Sequence, residues 1–189
     1  SLSATAGIGN TETVELDSAT NISITSSGTQ NIDIDHAADA STSVSSISQT
    51  GSGDINFDQT GSQSLTFSGT LSTASGNLAV SNDSSLSLAT TSITGDLSLN
   101  ASGAISDTGT ISVSGTTTIA AGASNDINFD TTSNNFSSVD ITSANNVVLK
   151  SSNAIDLGAS TVSGTLGITS GGAVTDSGTL AITGATTIS

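Results

Sequence analysis

Thr94 to Ala120 reads TGDLSLNASGAISDTGTISVSGTTTIA, and Ser163 to Ser189 reads SGTLGITSGGAVTDSGTLAITGATTIS. The two stretches align without gaps, Thr94 falling on Ser163 and Ala120 on Ser189. Eleven of the 27 pairs are identical, among them Gly95/Gly164, Ala104/Ala173, Asp107/Asp176, Gly109/Gly178, Gly115/Gly184 and Thr117-Thr118-Ile119/Thr186-Thr187-Ile188. Most of the others exchange Ile, Leu and Val, or Ser and Thr. Working outward, the same shift pairs Asn77 with Asn146, Leu78 with Val147 and Leu88 with Leu157. Further upstream, Asp54-Ile55-Asn56-Phe57-Asp58 recurs as Asp126-Ile127-Asn128-Phe129-Asp130 at a slightly longer shift, so a small indel separates the copies. The chain therefore reads as one segment, 1–189, with a superrepeat of about 70 residues: 54–125, 126–189 and a weaker copy in 1–53.

Inside the repeat a shorter period runs the whole length. Triplets with apolar ends and a small or polar middle recur as Val14-Glu15-Leu16, Ile22-Ser23-Ile24, Ile32-Asp33-Ile34, Leu65-Thr66-Phe67, Leu86-Ser87-Leu88, Leu97-Ser98-Leu99, Ile111-Ser112-Val113, Ile155-Asp156-Leu157 and others. Alternation at a period of two puts both apolar residues on one face and the middle residue on the other. A helix would need apolar residues three and four apart over several turns, which is nowhere sustained. Strands this short suit a solenoid, where each coil stacks on the one below, rather than a sandwich with strands of five or six residues. The reading is an all-β, right-handed parallel β-helix of about 20 residues per coil with essentially no helix. About nine coils at roughly 4.8 Å each make a rod roughly 45 Å long. Gly and Asn at the corners are expected to supply positive φ. Ile55, Phe57, Leu78, Val80, Leu97, Leu99, Ile111, Val113, Ile127, Phe129, Val147, Leu149, Leu166 and Ile168 are expected to point inward.

Composition narrows function. One Lys (Lys150), no Arg and one His (His36) stand against 16 acids, a net charge of −15. Nothing can neutralise phosphates or release their counterions, so nucleic-acid partners are excluded, and no basic patch is present for anionic lipid. The chain has no Cys, Pro, Met, Trp or Tyr. Disulfides, thiolate zinc sites and cysteine nucleophiles are therefore absent. Ser and Thr make up more than a third of the chain beside 20 Gly, a disorder-like composition that the regular apolar triplets overrule. No apolar run approaches the ~18 residues of a membrane span.

At this point the residues resemble a known family. The run Asn153-Ala154-Ile155-Asp156-Leu157-Gly158, with Ser160 through Leu166 after it, is similar to repeats of filamentous-haemagglutinin-like giant adhesins. So are Gly171 through Leu180 and Ile182-Thr183-Gly184-Ala185-Thr186-Thr187-Ile188. Ala120–Gly122, Asn125–Phe129 and Asn134-Asn135-Phe136 resemble the linking piece of that repeat. The resemblance covers about 54–189 well and 1–53 weakly, and what identifies it is the order of four blocks. It implies a parallel β-helix, export from a bacterium to its surface or surroundings, and no catalytic residues.

The residues themselves bear on several chemistries. Lyase chemistry on a β-helix wants a basic residue, and Lys150 and His36 lie far apart in an array whose spatial neighbours are about 20 residues apart. A two-carboxylate hydrolase wants aromatic sugar platforms, and the four Phe (Phe57, Phe67, Phe129, Phe136) fall at core positions. The reading is that the protein is not an enzyme. His36, with Asp33, Asp35 and Asp39 near it in sequence, is a conceivable metal ligand, but a solvated corner is the commoner explanation. Asp54, Asn56 and Asp58, and likewise Asp126, Asn128 and Asp130, are read as projecting from one outer face and are the metal candidates. Calcium wants six to eight oxygens, which three ligands spread along a strand do not provide, and no calcium-loop signature is present. A hydrated acidic face is the plainer reading, with no cofactor and weak Ca2+ association on charge alone. Thr116-Thr117-Thr118 recurs only as Thr186-Thr187, so no ice-binding ladder exists. Sequons start at Asn21, Asn82, Asn100 and Asn135 and are expected to stay unmodified.

Two functions follow. The first is a rigid stalk or filament segment of a giant bacterial surface or secreted protein, serving adhesion or cell–cell contact, on the outside of the cell. Its partners would be neighbouring repeats or identical segments end to end, and a host or partner cell surface. The second is a module that holds divalent cations or carbohydrate on the acidic face. The sequence reads as an internal piece of a longer exported chain, because Ile188-Ser189 stops where the earlier copy runs on through Ala120-Ala121-Gly122.

Overall fold

The computed structural model describes residues 1–9 and 12–189. All of the alternating triplets named above lie on strands, and every strand pairing among the described residues is parallel. Among the described residues the strands stack as a β-solenoid of about nine turns, with roughly 20 residues per turn and no helix. One 21-stranded sheet carries nearly all of them, and Ser160–Val162 and Leu180–Ile182 form a two-stranded sheet of their own.

Register falls into columns that climb one coil at a time. The first runs Ile32, Ile55, Leu78, Leu97, Thr117, Val139, Leu157. A second runs Thr42, Leu65, Leu86, Ile105, Ile127, Val147, Leu166, Thr186. A third runs Ile47, Leu71, Thr91, Ile111. Because side chains alternate, each column is wholly inside or wholly outside the tube. All fourteen residues expected to point inward are buried, none more than 2% exposed. Phe57 and Phe67 meet edge to face at 5.8 Å, and Phe129 and Phe136 stack at 5.8 Å.

The corner glycines correct one expectation. Positive φ is confined, among the described residues, to Gly7, Gly9, Gly61, Gly122, Ser18 and Ser62, and no Asn adopts it. Gly53, Gly76, Gly95 and Gly115 sit one per coil for a different reason. A Cβ on Gly76 would fall 2.1 Å from the Gly53 carbonyl oxygen, one on Gly95 2.7 Å from that of Gly76, and one on Gly115 2.5 Å from that of Gly95. Backbone rests on backbone along this edge, and any side chain would pry the coils apart.

Candidate functional site

The corner beside those glycines carries a relay. Asn31 Oδ1 accepts the Asp54 amide at 3.0 Å, and Asp54 Oδ1 accepts that of Asn77 at 2.7 Å. Asn77 Oδ1 then accepts the Asp96 amide, and Asp96 Oδ1 that of Thr116, both at 2.8 Å. Each side chain reaches toward the next coil, never back. A second run repeats the device, with Asp126 Oδ1 taking the Asn146 amide at 3.0 Å and Asn146 Oδ1 that of Thr165 at 3.0 Å. Asn145 Nδ2 and Asn146 Nδ2 donate to the same Asp126 oxygen. These bonds satisfy corner amides that the strand ladders leave free.

This geometry redistributes the metal candidates. Asp54 and Asp126 are turned along the axis onto backbone amides, so they do not share a face with Asn56 and Asp58 or with Asn128 and Asp130. Asn56 Nδ2 donates to Asp33 Oδ1 at 2.6 Å, and Asp58 lies exposed above Asp35 in register. Asp130 lends its amide to Asp107 Oδ1, and Asn128 points outward. Glu15, Asp35 and Asp58 do stack as three carboxylates on successive coils. Asp35 and Asp58 line an open groove of about 400 Å³ together with Asp33, Asn56, Ser81 and Asn100. Among the described residues, no three His, Asp or Glu side chains converge closely enough to hold a metal ion. The strand spacing keeps stacked carboxylates about 4.8 Å apart and pointing in parallel, so they cannot wrap one cation.

His36 is not at a solvated corner. It lies within the strand Ile32–Ala37 and is fully buried. Its Nδ1 stands 3.0 Å from Gln59 Oε1, the Gln59 amide nitrogen donates to Asn82 Oδ1 at 3.1 Å and to the Gln63 carbonyl, and Asn82 Nδ2 donates to the Ser85 carbonyl. Both Gln59 amide protons are spent on these bonds, so Gln59 Oε1 must accept. The network therefore assigns the proton to His36 Nδ1 and leaves Nε2 bare and without a partner. The alternation Ile32, Ile34, His36 already places this ring on the inward face. Reading the residue type rather than the period hides it.

Asp107 is the one buried acid among the described residues. It occupies the column of Leu88 and Phe129, accepts the amides of Asp130 and Thr131, and takes Asn134 Nδ2 at 2.6 Å. Asn134 in turn accepts the Ile111 amide at 2.7 Å. On the surface, Ser177 foremost and then Thr175 donate hydroxyl protons to Asp156 and hold its carboxyl below the usual carboxylate range, burial opposing and Ser138 adding to the lowering. Lys150 is half-buried on the outer face beside Thr169 in register.

The relay corner has a signature that the longer repeat masks. Gly or Asn, then a polar residue, then an inward apolar one recurs once per coil as Gly53-Asp54-Ile55, Gly76-Asn77-Leu78, Gly95-Asp96-Leu97, Asn125-Asp126-Ile127 and Asn145-Asn146-Val147. A family of proteins described as "Repeats of unknown function (DUF5649)" matches residues 75–143 and again 144–189. The chain belongs to this family. The two DUF5649 matches begin at positions 75 and 144, the same offset that lays Thr94 on Ser163. No curated protein and no solved structure matches the chain. The DUF5649 unit seen here is a stretch of β-solenoid, and its polar chemistry is spent largely on joining coil to coil.

Proposed function

We propose that this chain is a rigid structural segment of an adhesin-like protein on the surface of a bacterium or secreted by it, serving adhesion or cell–cell contact and carrying no catalysis. The observation that supports this reading is the continuity of the stack. One parallel sheet runs from Leu2–Ala4 to Thr186–Ile188, and corner relays and close-packed glycines tie successive coils. Such a stack resists bending because every coil is bonded above and below. At its ends Leu2, Val14, Leu180 and Ile182 are only partly covered, and Ile188 is 55% exposed. Coils of neighbouring repeats, or of an identical segment, would cover them along the axis. Two measurements test the reading together. Antibodies raised against the folded chain should label intact cells of the producing organism, and the isolated chain should form elongated particles by light scattering and negative-stain imaging. Absence of surface labelling, with compact monomers in solution, would reject it.

A second reading has one observation in its favour. The groove bordered by Asp33, Asp35 and Asp58 offers carboxylates and amides to a divalent cation or a sugar. Titration calorimetry with calcium, and melting with and without chelator, decides it. A stoichiometric heat with a raised Tm supports a specific site, and weak non-saturating heats leave only the ion atmosphere of an acidic surface.

A further inference from the structure

The two copies of the repeat do not stand one above the other. Leu97 rests on Leu78, Ile55 and Ile32. Its copy Leu166 rests on Val147, Ile127 and Ile105, and Ile105 belongs to the strand that follows Leu97 along the chain. Thr117 and its copy Thr186 repeat the offset, since Thr117 stands over Leu97 and Thr186 over Leu166. Ile55 and its copy Ile127 show it again, one in the first column and one in the second. The third column obeys the same rule. Ile111 has its copy in Leu180, which pairs with Ser160, and the Ser160 hydroxyl takes the amide of Ile141. Ile141 stands over Ile119 and Leu99, in the first column's strands. With three strands to a coil, the first- and third-column strands of the copy are advanced by one, and Ile155–Leu157, the copy of the second-column Leu86–Leu88, stacks on Ser138 and Val139, where the Asn135–Ser143 strand passes from the third column into the first.

We infer that successive repeats of this solenoid are rotated about its axis by close to a third of a turn, so that whatever outer surface a repeat bears is displayed in turn on three sides of the rod. The inference rests on the reading of the chain as a rod segment and adds how its contact surface is distributed. The cause is arithmetic. Coil length varies here, from the short step between Val139 and Leu157 to the long one between Ile47 and Leu71. A unit of about 70 residues, at about 20 to a coil, therefore holds three coils and part of a fourth. The excess sits in the linking piece around Ala120–Asn125, where the Ile111–Ala120 strand shifts register against Asn135–Ser143 at Val113/Thr116 and Ile119/Ala120. The relay corner shows the consequence directly. In the first copy Asp54, Asn77 and Asp96 precede first-column strands, and in the second Asp126, Asn146 and Thr165 precede second-column strands. A partner that recognises this edge, or the face beside it, meets it from any direction around a rod of three repeats. A surface confined to one side would instead require a unit of whole coils.

Cysteine pairs test the rotation in the chain as it stands, which has no native cysteine. Outward-facing register partners on adjacent parallel strands lie about 4.8 Å apart, within disulfide reach. Ser106→Cys/Asn128→Cys joins register partners across the boundary between the first copy and the second as the rotated stack places them. Thr118→Cys/Asn128→Cys joins the residues that would be neighbours if the second copy sat squarely over the first. Ala79→Cys/Ser98→Cys, within the first copy, is the control. All positions face outward, and circular dichroism confirms that each variant folds. The expected result is closure of the first and third pairs and none of the second. A short bismaleimide applied to the same variants should link the first pair about tenfold faster or more than the second, a readout indifferent to disulfide geometry. Equal or reversed rates, or closure of Thr118→Cys/Asn128→Cys, would overturn the rotation while leaving the rod reading in place.

Discussion

Ile34, Phe57, Val80 and Leu99 stack in register as one interior column, and His36, Gln59, Asn82 and Ala101 stack two residues further along the same strands. Both columns are closed to water. The first is continuous hydrocarbon. The second is a one-way chain of hydrogen bonds that ends on the Ser85 carbonyl and then shrinks to a methyl group at Ala101. The difference shows that position, not polarity, decides burial in a solenoid. A polar side chain that falls on the inward phase is enclosed, and it survives only if its neighbours one coil away complete its bonds. A single pair would have left orphaned groups at both ends. The three-coil relay leaves one buried lone pair, on His36 Nε2.

The comparison breaks most easily in the apolar column. Phe57→Ala removes a fully buried ring packed against Phe67, and a loss of about 3–5 kcal/mol is expected in urea unfolding. A loss below about 1 kcal/mol would mean the coils collapse freely around the gap. In the polar column Gln59→Ala strands the His36 Nδ1–H and the Asn82 carbonyl oxygen together. That predicts a loss of about 2–4 kcal/mol, most of it from unpaired groups rather than lost volume. Replacing the whole relay, His36→Leu/Gln59→Leu/Asn82→Leu, should then cost less than Gln59→Ala alone. If the triple variant is the worse, the relay contributes net stability rather than merely satisfying itself.

Smaller effects sharpen the contrast between inside and outside. Asp96→Ala frees the Thr116 amide on an exposed corner, where water replaces the lost partner, so about 0.5–1.5 kcal/mol is expected. The Tm of the unaltered chain should rise between low and high NaCl, because 16 acids repel one another and salt screens them. The decrement caused by Gln59→Ala should not change with salt, since its bonds are neutral and enclosed. The smallest effect concerns Asp156. Hydroxyl donors lower its folded-state pKa, so its stabilising contribution is present above the ordinary carboxylate pKa and is lost as pH falls through the lower folded value. Asp156→Asn should therefore flatten the acid limb of the melting profile slightly and leave neutral pH nearly untouched.

How much is legible in the sequence follows from the same physics. The alternating triplets become strands and the fourteen expected core positions become buried, because an alternation of period two admits one inward face. Residue type misplaces His36, because in this fold the period outweighs it. Asp54 and Asp126 do not belong with the polar residues two and four positions on, since each precedes its strand and turns along the axis instead. The glycines are corner residues as expected but for another cause, since a missing Cβ matters here for the carbonyl beneath it, which lies in another coil.

The sequence by itself determined the period, the inward face, the repeat length and the acidic, cysteine-free exterior, since each follows from local alternation, composition or self-similarity. Tertiary structure alone decided which coil rests on which. Register between strands about 20 residues apart depends on how many residues each corner absorbs, and that number varies from coil to coil with no local mark. From that register come the directed relays, the backbone-on-backbone glycine edge and the one-strand advance between copies.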